Sequence, residues 1–327
     1  MSNARILVTG GSGFIGSSLV KALLRAGCEV RVLDDNSRGS PRRLADIAKG
    51  IEFITGDIRD AAAVQAAARG MDEVHHLAFV NGTEFFYNAP DLVLDVGVRG
   101  MTNVIDACRK QNVGTLVLAS SSEVYQTPPK IPTAEDAPLV VPDPQNPRYS
   151  YGAGKLISEV MAINFGRRYF ERVLIFRPHN VYGPDMGWEH AIPQLALRLQ
   201  AAGKRQPFGK LRFEIQGSGR ETRSFCYIDD LVAGVMAMRA KGEHLGIYHI
   251  GTMEEVAIAD LARRIAAHAG REIDLVGGPA RAGGTMRRCP DISKLASLGY
   301  KPRVPLNEGL PPTLDWYRQH AELAPKT

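Results

Sequence analysis

The chain predicts an α/β fold built on a doubly wound parallel sheet, followed by a smaller C-terminal α/β domain. Three observations predict it. The first third alternates short apolar runs with helix-period segments, the pattern of βαβ units. A glycine-rich turn joins the first apolar run to the first helical one. After Arg177-Pro178 the loops lengthen, Pro and Gly accumulate and the alternation weakens as far as about Lys210. We therefore expect one domain over residues 1–177 and a second over 178–327, with part of the second, near 222–251, returning to the first sheet.

Strands are expected at residues 5–9, 29–33, 51–55, 73–77, 115–120 and 172–176, each a short β-branched or apolar run between turn signals. Residues 92–110 and 152–169 carry apolar side chains at helical spacing, as Leu156, Ile157, Val160, Met161 and Ile163 show in the second. Core packing is the simpler explanation of these faces, although they have apolar surface enough for a subunit contact. The Ala-rich stretch 61–68 is a good helix former, residues 246–251 form a strand bounded by glycines, and residues 258–269 form an amphipathic helix. Pro128 to Pro147 is expected to be a surface loop and, beside a catalytic strand, a wall for substrate.

With 40 Lys and Arg against 35 Asp and Glu, the net charge is +5, and the basic residues are scattered. That suits an anionic small ligand better than a nucleic-acid groove. No apolar run reaches the roughly 18 residues of a membrane span. The N-terminus, Met1-Ser-Asn-Ala-Arg-Ile-Leu-Val8, lacks a signal-peptide layout, so a cytoplasmic protein is expected. Cys28, Cys108, Cys226 and Cys289 are far apart, without a C-x-x-C pair, and indicate neither a zinc site nor a disulfide framework.

The first chemical signal is Gly10-Gly-Ser-Gly13-Phe-Ile-Gly16, which follows an apolar strand and opens a helix. Glycines at this spacing let backbone N–H groups approach a pyrophosphate at the helix N-terminus. Asp34, at the end of the second strand, can accept hydrogen bonds from both ribose hydroxyls, and its charge would repel a 2′-phosphate. NAD is therefore expected over NADP, while Arg38 and Arg42 leave NADP open. Asp57-Ile58 is either a neighbour of the adenine or a helix N-cap.

The second signal is Tyr151 and Lys155, four residues apart on one helical face. A phenol titrates near ~10, and a neighbouring ammonium favours the phenolate. The pair is preceded by Ser120-Ser-Ser-Glu-Val-Tyr125 at the C-terminal end of a strand, where ligands sit in such sheets.

With these motifs in hand, the sequence resembles the extended short-chain dehydrogenase/reductase family, the nucleotide-sugar epimerases and dehydratases. The likeness covers nearly the whole chain. It rests on Thr9 to Gly16, Asp34, Gly56-Asp57, His76-Leu-Ala78, Ser120 to Tyr125, Tyr151 to Lys155, Arg177-Pro-His-Asn-Val-Tyr-Gly-Pro184, Thr222-Arg-Ser-Phe225 and Arg288-Cys-Pro-Asp291. The resemblance implies an N-terminal Rossmann domain, a C-terminal domain for a nucleoside-diphosphate sugar, and a homodimer built on the helices near residues 92–110 and 152–169. It implies NAD held by Gly10, Gly13, Phe14, Ile15, Gly16, Asp34, Asn36, Ser37, Asp57, Ile58, Leu77, Ala78, Tyr151 and Lys155. Tyr151 would take the proton of the sugar 4-hydroxyl, Lys155 would hold the nicotinamide ribose and lower the tyrosine pKa, and Ser121 would bind the same sugar oxygen. Ser122, Asn180, Arg223, Arg288 and His190 are the expected substrate contacts. No metal is implied.

The outcome after C4 oxidation is open. Glu123, preceded by Ser122, resembles the acid/base position of some dehydratases acting on GDP-mannose and of UDP-glucuronate decarboxylases. Residues 176–184 and 212–219 look more like GDP-mannose 3,5-epimerases, which have a Cys at the position of Glu123 and a Lys in the loop after Gly183-Pro184; in this chain Glu123 and His190 would be a replacement acid/base pair at C5. The expectation is an epimerase or dehydratase that returns the hydride internally. UDP-glucuronate decarboxylation is the sharpest alternative, and a catalytically silent NAD-binding regulatory protein is the alternative from another class. Two departures from the family pattern stand out: Gly97 replaces its usual Asn, and Gln126 its usual Gly.

Overall fold

The computed structural model describes residues 3–279 and 283–324, so Met1 and Ser2 of the N-terminal segment lie outside the described residues. Six strands alternate with helices along the first half: β1 (Arg5–Thr9), β2 (Glu29–Asp34), β3 (Ile51–Thr55), β4 (Glu73–His76), β5 (Thr115–Ala119) and β6 (Arg172–Pro178). The strand Gly246–Ile250 adds a seventh, in the order Gly246–Ile250, β6, β5, β4, β1, β2, β3. Every pairing in this sheet is parallel. The order reverses between β1 and β4, which opens a crevice at the strand C-termini where such sheets bind ligands. Parallel strands are covered on both faces, and β1 accordingly buries Ile6, Leu7 and Val8 without alternation.

Two hydrophobic layers cover the sheet. On one face α1 (Phe14–Arg25) packs beside the helix Ile228–Lys241, with Leu19, Leu23, Leu231 and Val235 in the core. On the other lie α2 (Ala61–Ala68), α5 (Gly100–Gln111) and α6 (Ser150–Tyr169), which bury Val64, Val104, Ile105 and Ala162. Between β4 and α5 the chain makes α3 (Thr83–Asn88), α4 (Pro90–Leu94) and a turn of π-helix, Asp95–Arg99. The helix expected over 92–110 is thus interrupted by a wide turn, the kind that recurs at functional sites. Arg239 ties the helix Ile228–Lys241 to β4 through two 2.8 Å hydrogen bonds to Glu73.

A second core gathers Phe213, Leu261, Ile265, Leu310 and Leu314. It lies among the helices Ala191–Arg205, Ile258–His268 and Leu306–Gln319 and the parallel strands Leu211–Ile215 and Ile273–Gly277. The first of these helices lies where weak alternation predicted loop. Its buried Ile192, Leu195 and Leu199 form a single stripe, spaced three and four apart. The segment Thr222–Ser224 pairs with Glu255–Ala257 and Arg287–Arg288 in a small sheet rather than with the large one. The proline-rich segment does not wall the cleft described below. Instead, Thr133 N donates to Cys289 O, Asp291 N to Thr133 O, and Arg177 to Glu135 O, so it buttresses the chain around Pro290. Among the described residues no helix is long and apolar enough to cross a membrane, and the four cysteines are buried and free.

Candidate active site

A cleft of about 530 Å³ runs along the C-terminal ends of the strands. One end is made by backbone. Gly10 has φ +73°, and a Cβ there would lie 2.6 Å from Ala78 N; one at Gly16 would lie 2.1 Å from Gly10 O. Neither backbone obstacle can yield, so the strand–turn–helix junction requires glycine at both positions. Gly13 caps α1 without a side chain, and Gly13, Phe14, Ile15 and Gly16 line the cleft where the free N–H groups of the first helical turn lie. Asp34 is buried and accepts Ser12 N and Asn36 N, both at 2.9 Å. Asn36 does not line the cleft; it props this turn and accepts Ser12 Oγ at 2.9 Å. Ser37, Asp57, Ile58, Leu77 and Ala78 all reach the cleft. Asp57 is held by Arg59 at 2.6 Å, and Arg59 also bridges to Asp95 at 3.1 Å. The N-cap of α2 is Asp60, which leaves Asp57 free of that structural duty.

The other end is made by side chains. Tyr151 and Lys155 stand on consecutive turns of α6, both buried. Lys155 Nζ donates to Ala119 O at 2.7 Å and lies 4.0 Å from the centroid of Phe79. Tyr151 stacks on Phe86 at 4.8 Å, meets Phe79 edge-on at 5.2 Å and hydrogen-bonds Ser121. Burial pushes the Lys155 ammonium down to about 7, against the attraction of Glu159. Burial also raises the Tyr151 phenol, the Glu123 charge adds to this, and the Ser121 hydrogen bond opposes it. In the protein alone, then, burial is the dominant influence and holds the phenol above its ordinary value. The fixed positive charge of an oxidised nicotinamide would act in the opposite sense.

Beyond Tyr151 lies a carboxylate ringed by arginines. Ser122–Tyr125 is a short 3₁₀ turn capped by Ser121, whose Oγ accepts Glu123 N. Glu123 accepts Arg288 Nη1 at 2.6 Å and lies 3.6 Å from Arg148. Burial alone would raise its pKa; the charges of Arg288, Arg148 and Arg223 outweigh it and hold Glu123 below the ordinary carboxylate value. Arg288 is buried and lines the cleft, and its Nε has no hydrogen-bond partner. Ser122 and Asn180 line it too, whereas Arg223 does not. Arg223 donates to Thr222 O and reaches Glu123 only through its charge. His190 lines the cleft beside Arg38; burial and that arginine push it down to about 4, so it is neutral near pH 7. Glu123 is engaged by Arg288 instead.

Sequence reasoning pointed to the loop Phe79 to Asn88 as a determinant of sugar choice and to the run Pro147 to Lys155, but gave Phe79, Phe86 and Arg148 no roles of their own. The departure at Gln126 has a local explanation. With φ +53°, the residue sits in a conformation that glycine takes freely, and its side chain donates to Glu123 O at 2.6 Å in compensation. Behind the site, Arg177 clasps Glu159 at 2.6 and 2.8 Å and also bonds Tyr125, while Ser120 bonds Glu159. This buried network locks the far side of α6 against β6.

A profile of the NAD-dependent epimerase/dehydratase family matches residues 6–251, most of the chain. The chain belongs to this family. A UDP-glucose 4-epimerase from Mycolicibacterium smegmatis is 33% identical, with 97% of this chain and 100% of the relative covered. The UDP-glucuronic acid decarboxylase 1 of Xenopus tropicalis is 31% identical, over 97% of this chain and 73% of its own. Among solved structures, a dTDP-glucose 4,6-dehydratase from Streptomyces venezuelae, with NAD bound, superposes with a TM-score of 0.86 at 30% identity, covering 97% of this chain and 98% of that one. As an NAD-dependent epimerase/dehydratase family member the chain is an enzyme, and its cofactor is NAD. The glycine junction fits that group, because Gly13 caps α1 without a side chain and leaves the N–H groups of the first helical turn at the cleft wall, where a pyrophosphate binds.

Proposed function

We propose that this enzyme acts on a nucleoside-diphosphate sugar through a 4-keto intermediate and ends without net redox change. The observation that carries the reading is the convergence of Ser121, Tyr151 and Lys155 in a cleft whose other end is the glycine junction. The α1 N-terminus and Asp34 would hold the dinucleotide, which when bound would supply a reversible acceptor for the C4 hydride. Tyr151 takes the proton of the 4-hydroxyl and returns it at the end of the cycle. Ser121 orients that oxygen, and Lys155, on the next turn of α6, would hold the nicotinamide ribose, whose oxidised ring would bring the positive charge that offsets the burial of the phenol. Glu123, kept ionised by its arginines, serves as the second base at a carbon acidified by the new carbonyl, for epimerisation or elimination. Arg288 lines the cleft and offers its charge to an anionic substrate group, Asn180 lines the same cleft, and Arg223 adds long-range positive charge.

The exposed apolar residues Leu94, Ile157 and Val160 on α4 and α6 support a homodimer through these helices. Val160→Glu would shift a dimer to monomer in sedimentation.

Incubation with UDP-, GDP-, CDP- and dTDP-sugars in heavy water, read by mass spectrometry, tests the reading. Loss of water marks elimination, and deuterium gain at constant composition marks epimerisation beside C4. Products released together with stoichiometric reduced dinucleotide would show a simple dehydrogenase and overturn the internal return.

A further inference from the structure

Phe79 follows β4 in the segment Leu77-Ala-Phe-Val80 and is half-buried. The tip of its ring is wedged between two helices where neither presents a side chain. A Cβ at Gly97, in the π-turn, would lie 2.3 Å from Phe79 Cζ, and one at Gly154, on α6, would lie 3.0 Å from it. The ring thus occupies the space that an ordinary residue at Gly97 would take. One face of it looks at Lys155 Nζ, 4.0 Å from the centroid, and its neighbour Tyr151 is 5.2 Å away, edge-on. An ammonium has three N–H donors, and the oxygen acceptor placed against this one is Ala119 O. The aromatic face takes up part of the charge that oxygen does not.

We propose that Phe79 is a positioning residue for Lys155: its ring, admitted by Gly97 and Gly154, partners the ammonium and keeps water off that flank. The inference deepens the proposed reaction and rests on it for its purpose. A dry flank keeps the proton taken by Tyr151 inside the pocket, available to the same sugar at the end of the cycle.

The charged and titratable groups around Lys155 are few. Tyr151 and Glu159 share its helix. His76, at the end of β4, is bonded through Nδ1 to Thr9 Oγ1 at 2.8 Å, and burial, with the Lys155 charge, pushes it down to about 3, so it stays neutral. Glu123, beyond β5, acts on the pair through Tyr151. On the other side, α4 and the π-turn present Leu92 and Val96 to the cleft, while Asp95 is taken up by Arg59 and Arg99. Asp91, also on α4, is exposed, and among the described residues Glu159 is the acidic group whose charge acts on the ammonium.

The test is the pH dependence of amine acylation at Lys155, read by peptide mass spectrometry on the substrate-free protein. The midpoint for the natural enzyme is expected at about 7. Phe79→Leu keeps the bulk and the dryness but removes the aromatic face, so the midpoint falls by roughly one unit, a desolvated cation–π contact expressed in pKa. Phe79→Ala lets water reach the amine, so the midpoint rises by roughly one unit or more toward the ordinary lysine value. Opposite displacements support the proposal. A Leu variant with an unmoved midpoint makes the ring mere filler and overturns it, and that variant decides alone if the Ala protein does not fold. Because no turnover is needed, failure here is distinguishable from failure of the proposed reaction, which full activity of Tyr151→Phe would expose.

Discussion

The two ends of the cleft are built on different principles. At the dinucleotide end the decisive atoms are backbone: Gly10 and Gly16 are fixed by carbonyl and amide groups a few ångströms away, and Asp34 is set by two backbone N–H groups. At the catalytic end the decisive contacts join side chains far apart in the chain, such as Glu123 and Arg288, 165 residues apart. A backbone requirement writes itself into a short run of sequence. A long-range pair leaves only two separate candidates with nothing to say that they meet.

Each end can be broken on its own. Tyr151→Phe removes one oxygen and leaves the glycine junction untouched. Turnover should fall by roughly 10²–10⁴-fold, while NAD affinity measured by calorimetry stays within a few-fold of the natural enzyme. Gly16→Ala should do the reverse. Its methyl meets Gly10 O at 2.1 Å and Gly11 Cα at 2.8 Å, neither of which can move without opening the turn. NAD affinity should drop by about tenfold or more, about 1.4 kcal/mol, and normal NAD binding by the Gly16→Ala protein would show that the junction is not built as described.

The carboxylate–arginine pair offers a subtler break, visible in pH. Glu123 lies below the ordinary carboxylate value because the arginines outweigh its burial. The pair therefore contributes stability above the ordinary pKa and loses it as pH falls through the lowered one. In Arg288→Gln the chief counter-charge is gone and desolvation remains, so the Glu123 pKa rises and the acid limb of the activity profile moves up toward neutrality. A uniform loss of rate with an unmoved limb would mean that Arg288 only binds substrate.

What was legible in the sequence follows the same division. The strand–turn–helix, Asp34, and Tyr151 with Lys155 were readable because a turn or a helical spacing of four is local. Lys155 was readable as a cation but not as one that burial brings to about 7, because nothing local shows how dry its surroundings are. Gly97 was visible as a departure, yet its partner Phe79 was not, since the compensation crosses from the end of β4 to the π-turn. Arg148 closes a proline-rich loop expected to wall the substrate; only its end reaches Glu123. The helix Ala191–Arg205 was hidden by Pro193 and by Ala196 and Leu197, apolar residues between its buried Ile192, Leu195 and Leu199 that blur the stripe.

The smallest expected effect lies where the two ends are joined. Asp185, in the loop before the helix Ala191–Arg205, accepts Arg42 at 2.7 Å and Arg43 at 3.2 Å, and Arg38 pairs with Glu189 from the same loop. These arginines follow β2, so the contacts strap the substrate side across the dinucleotide side. Arg42 is 45% exposed, and an ion pair so open to water contributes only about 0–1 kcal/mol. Asp185→Asn should lower the melting temperature by no more than a few degrees and by less at high salt, as screening already weakens the natural pair. The mutation touches neither Tyr151 nor the glycine turn, so kcat should hold while the Kd for NAD rises a few-fold. A large fall in kcat would mean that the strap aligns the catalytic groups, and that the two ends are less independent than their construction implies.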